Sequence, residues 1–154
     1  FLFPRDLRLA HDQMVVETNA EEIRKREQTV SEKYPDIRKN YRSLRNQYFY
    51  EDEDYLIRPA RSAEEIVAEG RILHHCVGGD NYLNKHNTGR STILFLRSQL
   101  APETPYITIE ICGTKILQWY GIRDTKPDEI RIEGHLRRYI KALKEKEQIT
   151  SVTA

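Results

Sequence analysis

Leu73-His74-His75-Cys76-Val77-Gly78-Gly79 sets two imidazoles and a thiol in direct succession, and the rest of the chain is organised around this stretch. A helix leads into it, because Ser62-Ala63-Glu64-Glu65 is a capping box with a hydroxyl at the N-cap and a carboxylate three residues later. On a regular helix the three reactive side chains would point in different directions. They converge only if the backbone turns, and we expect Gly78-Gly79 to provide that turn.

Strand patterns dominate the residues that flank and follow the motif. Residues 91–97 have apolar side chains on both faces, which predicts a central strand. Residues 106–111 and 115–120 alternate, and Gly113-Thr114 between them predicts a hairpin. Residues 55–58, just before Pro59, predict a short edge strand.

Helices are predicted after the motif and at the end of the chain. Residues 80–86 form a short helix that ends by Gly89. From Asp128 onward an apolar stripe repeats at helical spacing, and its members are Ile132, Leu136, Tyr139, Ile140 and Leu143.

The first fifty residues carry an apolar side chain at every seventh position, namely at Leu9, Val16, Ile23, Val30, Ile37 and Leu44. Such a repeat predicts long helices beginning near Pro4, with self-association through them as one possible use. Pro35 should interrupt the pattern, because its ring removes a donor and clashes with the preceding turn.

Length and composition indicate one soluble domain of 154 residues, with 38% hydrophobic residues, 32% charged residues and a net charge of +1. We expect an α+β fold: long broken N-terminal helices over residues 1–50, then a core over residues 51–154. That core comprises the motif-bearing helix, a small antiparallel sheet of three to four strands and a C-terminal helix. The composition favours a cytoplasmic protein without a membrane span, and the start at Phe1 suggests a fragment of a longer chain.

Cys76 is the strongest candidate for chemistry. A free thiol is a weak nucleophile at neutral pH unless a neighbouring base or cation favours the thiolate. His75 is the candidate base, and Glu110 and Gln118 on the predicted hairpin are candidate orienting groups. Regular pairing across the two-residue turn would put Gln118 on the isoleucine face, where its amide needs partners.

Two other interpretations of the motif stay open. Cys76 is a small packed thiol in one, with a histidine bonded to backbone at the helix end. The other is a zinc site using Cys76, a histidine and Cys112 or His86. Since the paired spacings typical of zinc sites are absent, we predict no metal and no cofactor.

A basic stripe lies in the N-terminal segment, where Arg38, Arg42 and Arg45 recur at helical spacing. Such a stripe suits phosphate contacts, with neighbouring tyrosines available for stacking on bases. The ordinary alternative is a solvated helix face opposite an apolar seam.

The chain resembles the PcfJ-like family of plasmid, conjugative-element and phage proteins. The matching stretches are Pro4-Arg5-Asp6-Leu7, Ala10-His11-Asp12, Glu69-Gly70, Leu73 to Gly78, Ile93 to Arg97, Pro105 to Glu110, and Gln118. Two departures stand out: a tyrosine expected soon after His-Cys-Val-Gly is displaced to Tyr82, and Asp124 occupies the place of an expected asparagine. The resemblance implies a mobile-element context but supplies no reaction.

Two functional hypotheses follow. In the first, this is an accessory domain of a mobile-element protein that binds nucleic acid or a partner protein, with Arg38, Arg42 and Arg45 as contacts. In the second, it is a thiol-dependent enzyme, hydrolytic or nucleic-acid-processing, that uses Cys76, His75 and Glu110 or Gln118.

Overall fold

A computed structural model describes residues 20–22, 24–25 and 29–153, with side chains through residue 150. The helices are α1 (Pro35–Lys39), α2 (Tyr41–Tyr48), α3 (Ala63–Leu73), α4 (Asp80–Thr88) and α5 (Glu129–Thr153). The strands are β1 (Tyr50–Glu51), β2 (Tyr55–Pro59), β3 (Thr92–Ser98), β4 (Ile107–Cys112) and β5 (Lys115–Tyr120). Single 3-10 turns occupy Cys76–Gly78 and Ile122–Asp124, and residues 29–33 are also helical.

The five strands form one antiparallel sheet in the order β1-β2-β3-β4-β5. One face packs on α5, where Leu94, Ile109 and Tyr139 share a buried cluster. The opposite face packs on α1, α3 and α4, where Phe95 and Ile66 belong to a second buried cluster. We call these the α5 face and the α3 face. The predicted α+β class is confirmed.

The sheet has five strands rather than the predicted three to four. The additional strand is β1, which is only two residues long and pairs with Leu56 and Ile57. Its presence means that β2 is not an edge strand, contrary to expectation. Pro59 is tolerated because it lies at the last position of β2, beyond the reach of β1.

The predicted long N-terminal helices are not matched in the described residues. Tyr34 is not helical, and Pro35 is the first residue of a new helix of only five residues. Asn40 separates that helix from α2. The expected helix start at Pro4 and the first three heptad positions lie outside the described residues.

The regular elements after the motif agree with the sequence pattern. Gly89 ends α4 with a left-handed conformation, and Gly113 opens the β4–β5 hairpin with φ +62°. The predicted α5 stripe packs against the sheet, with Ile132, Leu136, Tyr139 and Leu143 buried and Ile140 partly buried. In the part of the chain described here, no helix combines the length and the apolar character needed to cross a bilayer.

Two ion pairs hold α3 against the sheet. Arg97 on β3 donates to both carboxylate oxygens of Glu69 at 2.7 Å, and these side chains are 3% and 1% exposed. Arg58 on β2 donates to both oxygens of Glu65 at 2.7 and 2.8 Å. Both guanidinium groups lie close to the Phe95 ring, whose centre is 4.7 Å from Arg97 Cζ and 5.3 Å from Arg58 Cζ. Because the two glutamates are one turn apart, the pairs fix the rotation of α3 as well as its position.

The end of α3 makes a close backbone contact with the 3-10 turn that follows it. A Cβ atom on Gly70 would lie 2.8 Å from Gly78 N and 3.0 Å from His75 O. A Cβ on Gly78 would lie 3.1 Å from Val67 Cα. Backbone atoms cannot move aside as a flexible side chain would, so position 70 requires glycine and position 78 leaves little room for a side chain.

We therefore expect Gly70→Ala to lower the free energy of unfolding by about 1–3 kcal/mol, although alanine is the better helix former. Gly134→Ala in α5 is the matched control, because its new methyl would only reach arginine side-chain ends at 3.7 Å or more. That control should stabilise the protein by about 0.5–1 kcal/mol. Urea unfolding measures both, and equal gains in the two variants would contradict the close contact.

Candidate functional site

The backbone changes direction at His74, which ends α3 in a left-handed conformation with φ 54° and ψ 48°. The prediction that the chain turns at Gly78-Gly79 is therefore wrong, because the turn occurs at His74. Neither glycine has a positive φ, and Gly79 instead precedes α4 with φ −74°. The His74 side chain is exposed, while the change of direction carries His75 and Cys76 back over the sheet.

His75 is the polar link between the motif and the sheet. Its Nδ1 accepts the backbone N–H of Val77 at 3.4 Å, and its Nε2 lies 2.9 Å from Thr108 Oγ1 on β4. Since Nδ1 is an acceptor, the ring proton resides on Nε2, which donates to the threonine hydroxyl. Burial lowers the pKa of His75, which favours this neutral form at physiological pH.

A β-bulge in the hairpin decides where Gln118 points. Ile111 pairs with Ile116, but Glu110 pairs with Gln118, so Leu117 is an extra residue on β5. The predicted assignment of Gln118 to the isoleucine face is therefore wrong, because it assumed regular alternation. Gln118 shares the α3 face with Glu110, and Leu117 is 48% exposed.

The Glu110 carboxylate is the centre of a buried polar network. Its Oε2 accepts a hydrogen bond from Ser91 Oγ at 2.7 Å and lies 3.7 Å from Lys85 Nζ. Its Oε1 accepts from Gln118 Nε2 at 3.0 Å, and the same amide nitrogen donates to Tyr82 Oη at 3.0 Å. The network fixes the amide and leaves Gln118 Oε1 as an acceptor without a partner among the described residues.

A cavity of about 390 Å³ lies between the motif and the α3 face of the sheet. Its lining includes all four residues proposed from sequence as catalytic candidates, and we call it the motif pocket. The lining residues are His75, Cys76, Val77, Tyr82, Ile93, Thr108, Glu110, Gln118, Tyr120 and Asp124. Both positions that depart from the family pattern, Tyr82 and Asp124, belong to this set.

The loop after β5 closes one side of the motif pocket in a strained conformation. Arg123 and Asp124 are consecutive left-handed residues, with φ of 52° and 59°. Such a conformation costs about 1–2 kcal/mol for a residue such as Arg123, whereas aspartate adopts it more readily. This conformation places Asp124 in the lining of the motif pocket.

Sequence reasoning missed Thr108 as a site residue, although the signal was present. Thr108 stands two positions before Glu110 on the same strand, so both side chains project from the same face. What could not be foreseen was that the imidazole of His75 would reach this hydroxyl.

The Cys76 thiol is exposed at the motif pocket. No hydrogen bond joins its sulfur to an imidazole within the described residues, and both nitrogens of the adjacent His75 have other partners. Neither is Cys76 a packed core thiol, since Val77 is the buried residue of that turn.

The residues considered for zinc are not assembled into a metal site. Searched over the described residues, the protein contains no group of three or more His, Cys, Asp or Glu side chains that could hold a metal ion. His86 is buried, and its Nδ1 accepts the backbone N–H of Ile93 at 2.8 Å. Cys112 is exposed at the end of β4.

The basic stripe lies outside the lining of the motif pocket. Arg38 on α1 is 3.5 Å from a Glu64 carboxylate oxygen, while Arg42 and Arg45 belong to the separate helix α2. Arg45 Cζ lies 4.2 Å from the centre of the Phe49 ring. All three side chains are exposed.

Comparison with known proteins gives a family match and one curated relative. A family model described as PcfJ-like protein matches residues 1–133. An uncharacterized protein of Listeria innocua is 29% identical over 126 residues, which are 82% of this chain and 26% of that protein. The chain therefore spans about a quarter of the length of this relative. No solved structure gives a significant match.

Buried His86 predicts a loss of stability in acid. Burial lowers the pKa of His86 from 6.5 to about 4, so the unfolded chain binds the proton first as the pH falls. Stability is fully present above pH 6.5 and declines between pH 6.5 and 4, by about 3 kcal/mol for this group alone. Urea unfolding across that range should show the slope, to which His75 and His135 contribute in the same direction.

His86→Gln should remove a large part of that slope. Leu83→Ala, on the same helix and also buried, is the control: it should lower stability by about 2–5 kcal/mol at every pH while keeping the slope. An unchanged slope in His86→Gln would show that another group governs the acid transition.

Proposed function

Because this chain belongs to the PcfJ-like family, we propose that it is an accessory domain of a mobile-element protein and that it binds nucleic acid, with one unstacked base entering the motif pocket. The observation that carries the proposal is the grouping of a fixed amide and two tyrosines, Gln118 with Tyr82 and Tyr120, in one cavity of about 390 Å³. Ligand cavities in proteins are commonly of this size or larger.

The chemistry of the motif pocket suits the edge and the face of a base. Gln118 Oε1 is available to accept from a base amino group, and the Tyr82 hydroxyl, which already accepts from the amide, can donate its own proton to a ring nitrogen or carbonyl. Tyrosine rings stack on any base. Double-stranded nucleic acid keeps its bases stacked, so single strands or extruded bases are the favoured ligands.

Phosphate contacts would come from cations near the pocket and from the basic stripe. Lys85 is 33% exposed on its side chain and already faces Glu110, and Arg123 is exposed beside Asp124. Arg38, Arg42 and Arg45 are exposed on the first two helices and are proposed as additional contacts. The net charge of only +1 means that affinity should depend on such local cations.

The test is fluorescence anisotropy of the purified chain with single-stranded DNA, single-stranded RNA and duplex DNA at 50 and 200 mM salt. We expect salt-sensitive binding that favours single strands. Gln118→Ala and Tyr120→Ala should each weaken it by about 1–3 kcal/mol, or roughly 5- to 150-fold, because each removes one side of the base site.

Two controls separate the motif pocket from the basic stripe. Gln47→Ala removes an exposed glutamine on α2 and should leave binding unchanged. Arg42→Ala should weaken all sequences alike and reduce the salt slope by about 0.7, the amount expected for one lost phosphate contact to a single strand. Absence of salt-sensitive binding to every oligonucleotide would end the proposal.

A thiol-dependent enzyme is the second candidate function. It is favoured by one observation: Cys76 is exposed and lines the same pocket as His75 and Glu110. It requires a rearrangement, because Nδ1 of His75 would have to release Val77 N–H before it could take a proton from the thiol.

This candidate predicts selective alkylation of Cys76. Cys112 is an internal control, since it is also exposed and lies outside the pocket lining. An activated Cys76 should react with iodoacetamide at least tenfold faster than Cys112 at pH 6, as measured by peptide mass spectrometry, and His75→Ala should abolish the difference. Equal rates at pH 6 would exclude thiol catalysis by the resting protein.

A further inference from the structure

A second depression lies on the opposite side of β5 from the motif pocket. Its volume is about 900 Å³, and it runs between the outer strand β5 and the helix α5. We call it the β5–α5 groove. None of the candidate catalytic residues except Gln118, which borders both depressions, contributes to it.

The groove combines an apolar floor with basic walls. The floor comprises Ile116, Leu117, Leu136 and Ile140, of which Leu117 is 48% exposed and Ile116 and Ile140 are partly buried. The walls carry four cations, Lys126, Arg137, Lys141 and Lys144, against two carboxylates, Glu133 and Glu145. An exposed apolar floor bordered by polar residues is typical of a site that contacts another molecule.

The cations of the walls are available to a ligand. Within the described residues, Arg137, Lys141 and Lys144 form no ion pair, whereas the neighbouring Arg138 lies 3.9 Å from Asp52 and Arg131 lies 3.1 Å from Asp54. Lys126 Nζ stands 4.9 Å from the centre of the Trp119 ring. The excess of positive charge therefore selects a ligand with negative charge.

The apolar floor distinguishes between the two acidic classes of macromolecule. A nucleic-acid backbone presents charged phosphates and polar sugars and has no extended apolar side chain with which to cover Leu117 and Ile140. An amphipathic peptide covers the floor with its apolar side chains and meets the walls with its carboxylates.

The bulge at Leu117 indicates which conformation such a peptide would adopt. An added β-strand needs a regular row of free backbone groups, and a bulge interrupts that row and twists the edge. Lys115 at the start of β5 opposes strand addition as well. A helix lying along the groove needs no backbone pairing with β5.

We propose that the β5–α5 groove binds an acidic amphipathic helix of a partner protein. The groove follows α5 from Glu133 to Gln148, a length of about 22 Å at 1.5 Å per residue, which fits about four turns. Apolar residues at positions i, i+3 or i+4, and i+7 of the partner contact Leu117, Leu136 and Ile140. Its acidic residues contact Arg137, Lys141 and Lys144. The proposal does not rest on nucleic-acid binding in the motif pocket, and the two depressions share only Gln118 and Tyr120 among their lining residues.

The test uses labelled 16-residue peptides with a leucine stripe at helical spacing and glutamates on the other faces. The matched probe replaces the glutamates with lysines, and a 16-nucleotide single strand of thymidylate is the third probe. Anisotropy at 50 and 200 mM salt should show binding of the acidic peptide to the intact chain and no binding of the basic peptide.

Charge reversal locates the site. Lys141→Glu with Lys144→Glu should weaken the acidic peptide at least tenfold and confer binding of the basic peptide. Leu117→Ser removes part of the apolar floor. It should therefore weaken binding of the acidic peptide to the original groove and binding of the basic peptide to the charge-reversed groove. Lys39→Glu with Arg90→Glu changes the net charge equally at exposed positions outside the groove and should leave acidic-peptide binding intact.

Three results would overturn the proposal. The first is no binding of the acidic peptide at 50 mM salt, and the second is an equal loss of acidic-peptide binding in the two double variants. The third is that substitution of Lys141 and Lys144 weakens oligonucleotide binding more than it weakens acidic-peptide binding. Unchanged far-UV circular dichroism and unfolding midpoints confirm that each variant is folded. Loss of oligonucleotide binding through the motif pocket would leave this inference untouched.

Discussion

The buried pair between Glu69 and Arg97 is the constraint on which the motif pocket depends. Removing both charges from water is costly, and the attraction between them, together with the two parallel hydrogen bonds at 2.7 Å, offsets the loss. A buried pair of this kind tolerates little displacement, because any shift of α3 leaves two desolvated charges unmatched. Together with the pair between Arg58 and Glu65 one turn earlier, it fixes the rotation of α3 about its axis. That rotation determines where the helix ends at Leu73 and where His75 is placed.

Much of the fold was predictable because its signals are local. The capping box at Ser62, the turn at Gly113 and the α5 stripe each follow from a few neighbouring residues. β1 was not predictable, since two residues are too few to show alternation. The ion pair was not predictable either: Glu69 and Arg97 are 28 positions apart, and each resembles a surface residue in its own element.

The site shows the same division between local and distant information. His75, Cys76, Glu110 and Gln118 were selected as unusual polar residues, and the fold brings them to one pocket. Their roles as catalytic or binding groups stay predictions. Gln118 was assigned to the wrong face because regular pairing was assumed, yet an amide among isoleucines was itself the sign of a bulge. His74 gave no comparable sign of its left-handed conformation, in which the N–H groups of His74 and His75 both donate to the carbonyl oxygen of Gly70.

Because of the bulge at Leu117, β5 can lose one residue at this position without moving its other side chains to the opposite face of the sheet. Because this residue is not part of the regular pairing, a chain lacking it would still set Ile116 opposite Ile111 and Gln118 opposite Glu110. Gene copies that lose a codon here would keep the same side chains in the motif pocket, while loss of a codon at Trp119 would exchange the two faces beyond it. β5 thus contains one position at which the length of the hairpin can change without altering the motif pocket, while the floor of the β5–α5 groove would lose Leu117.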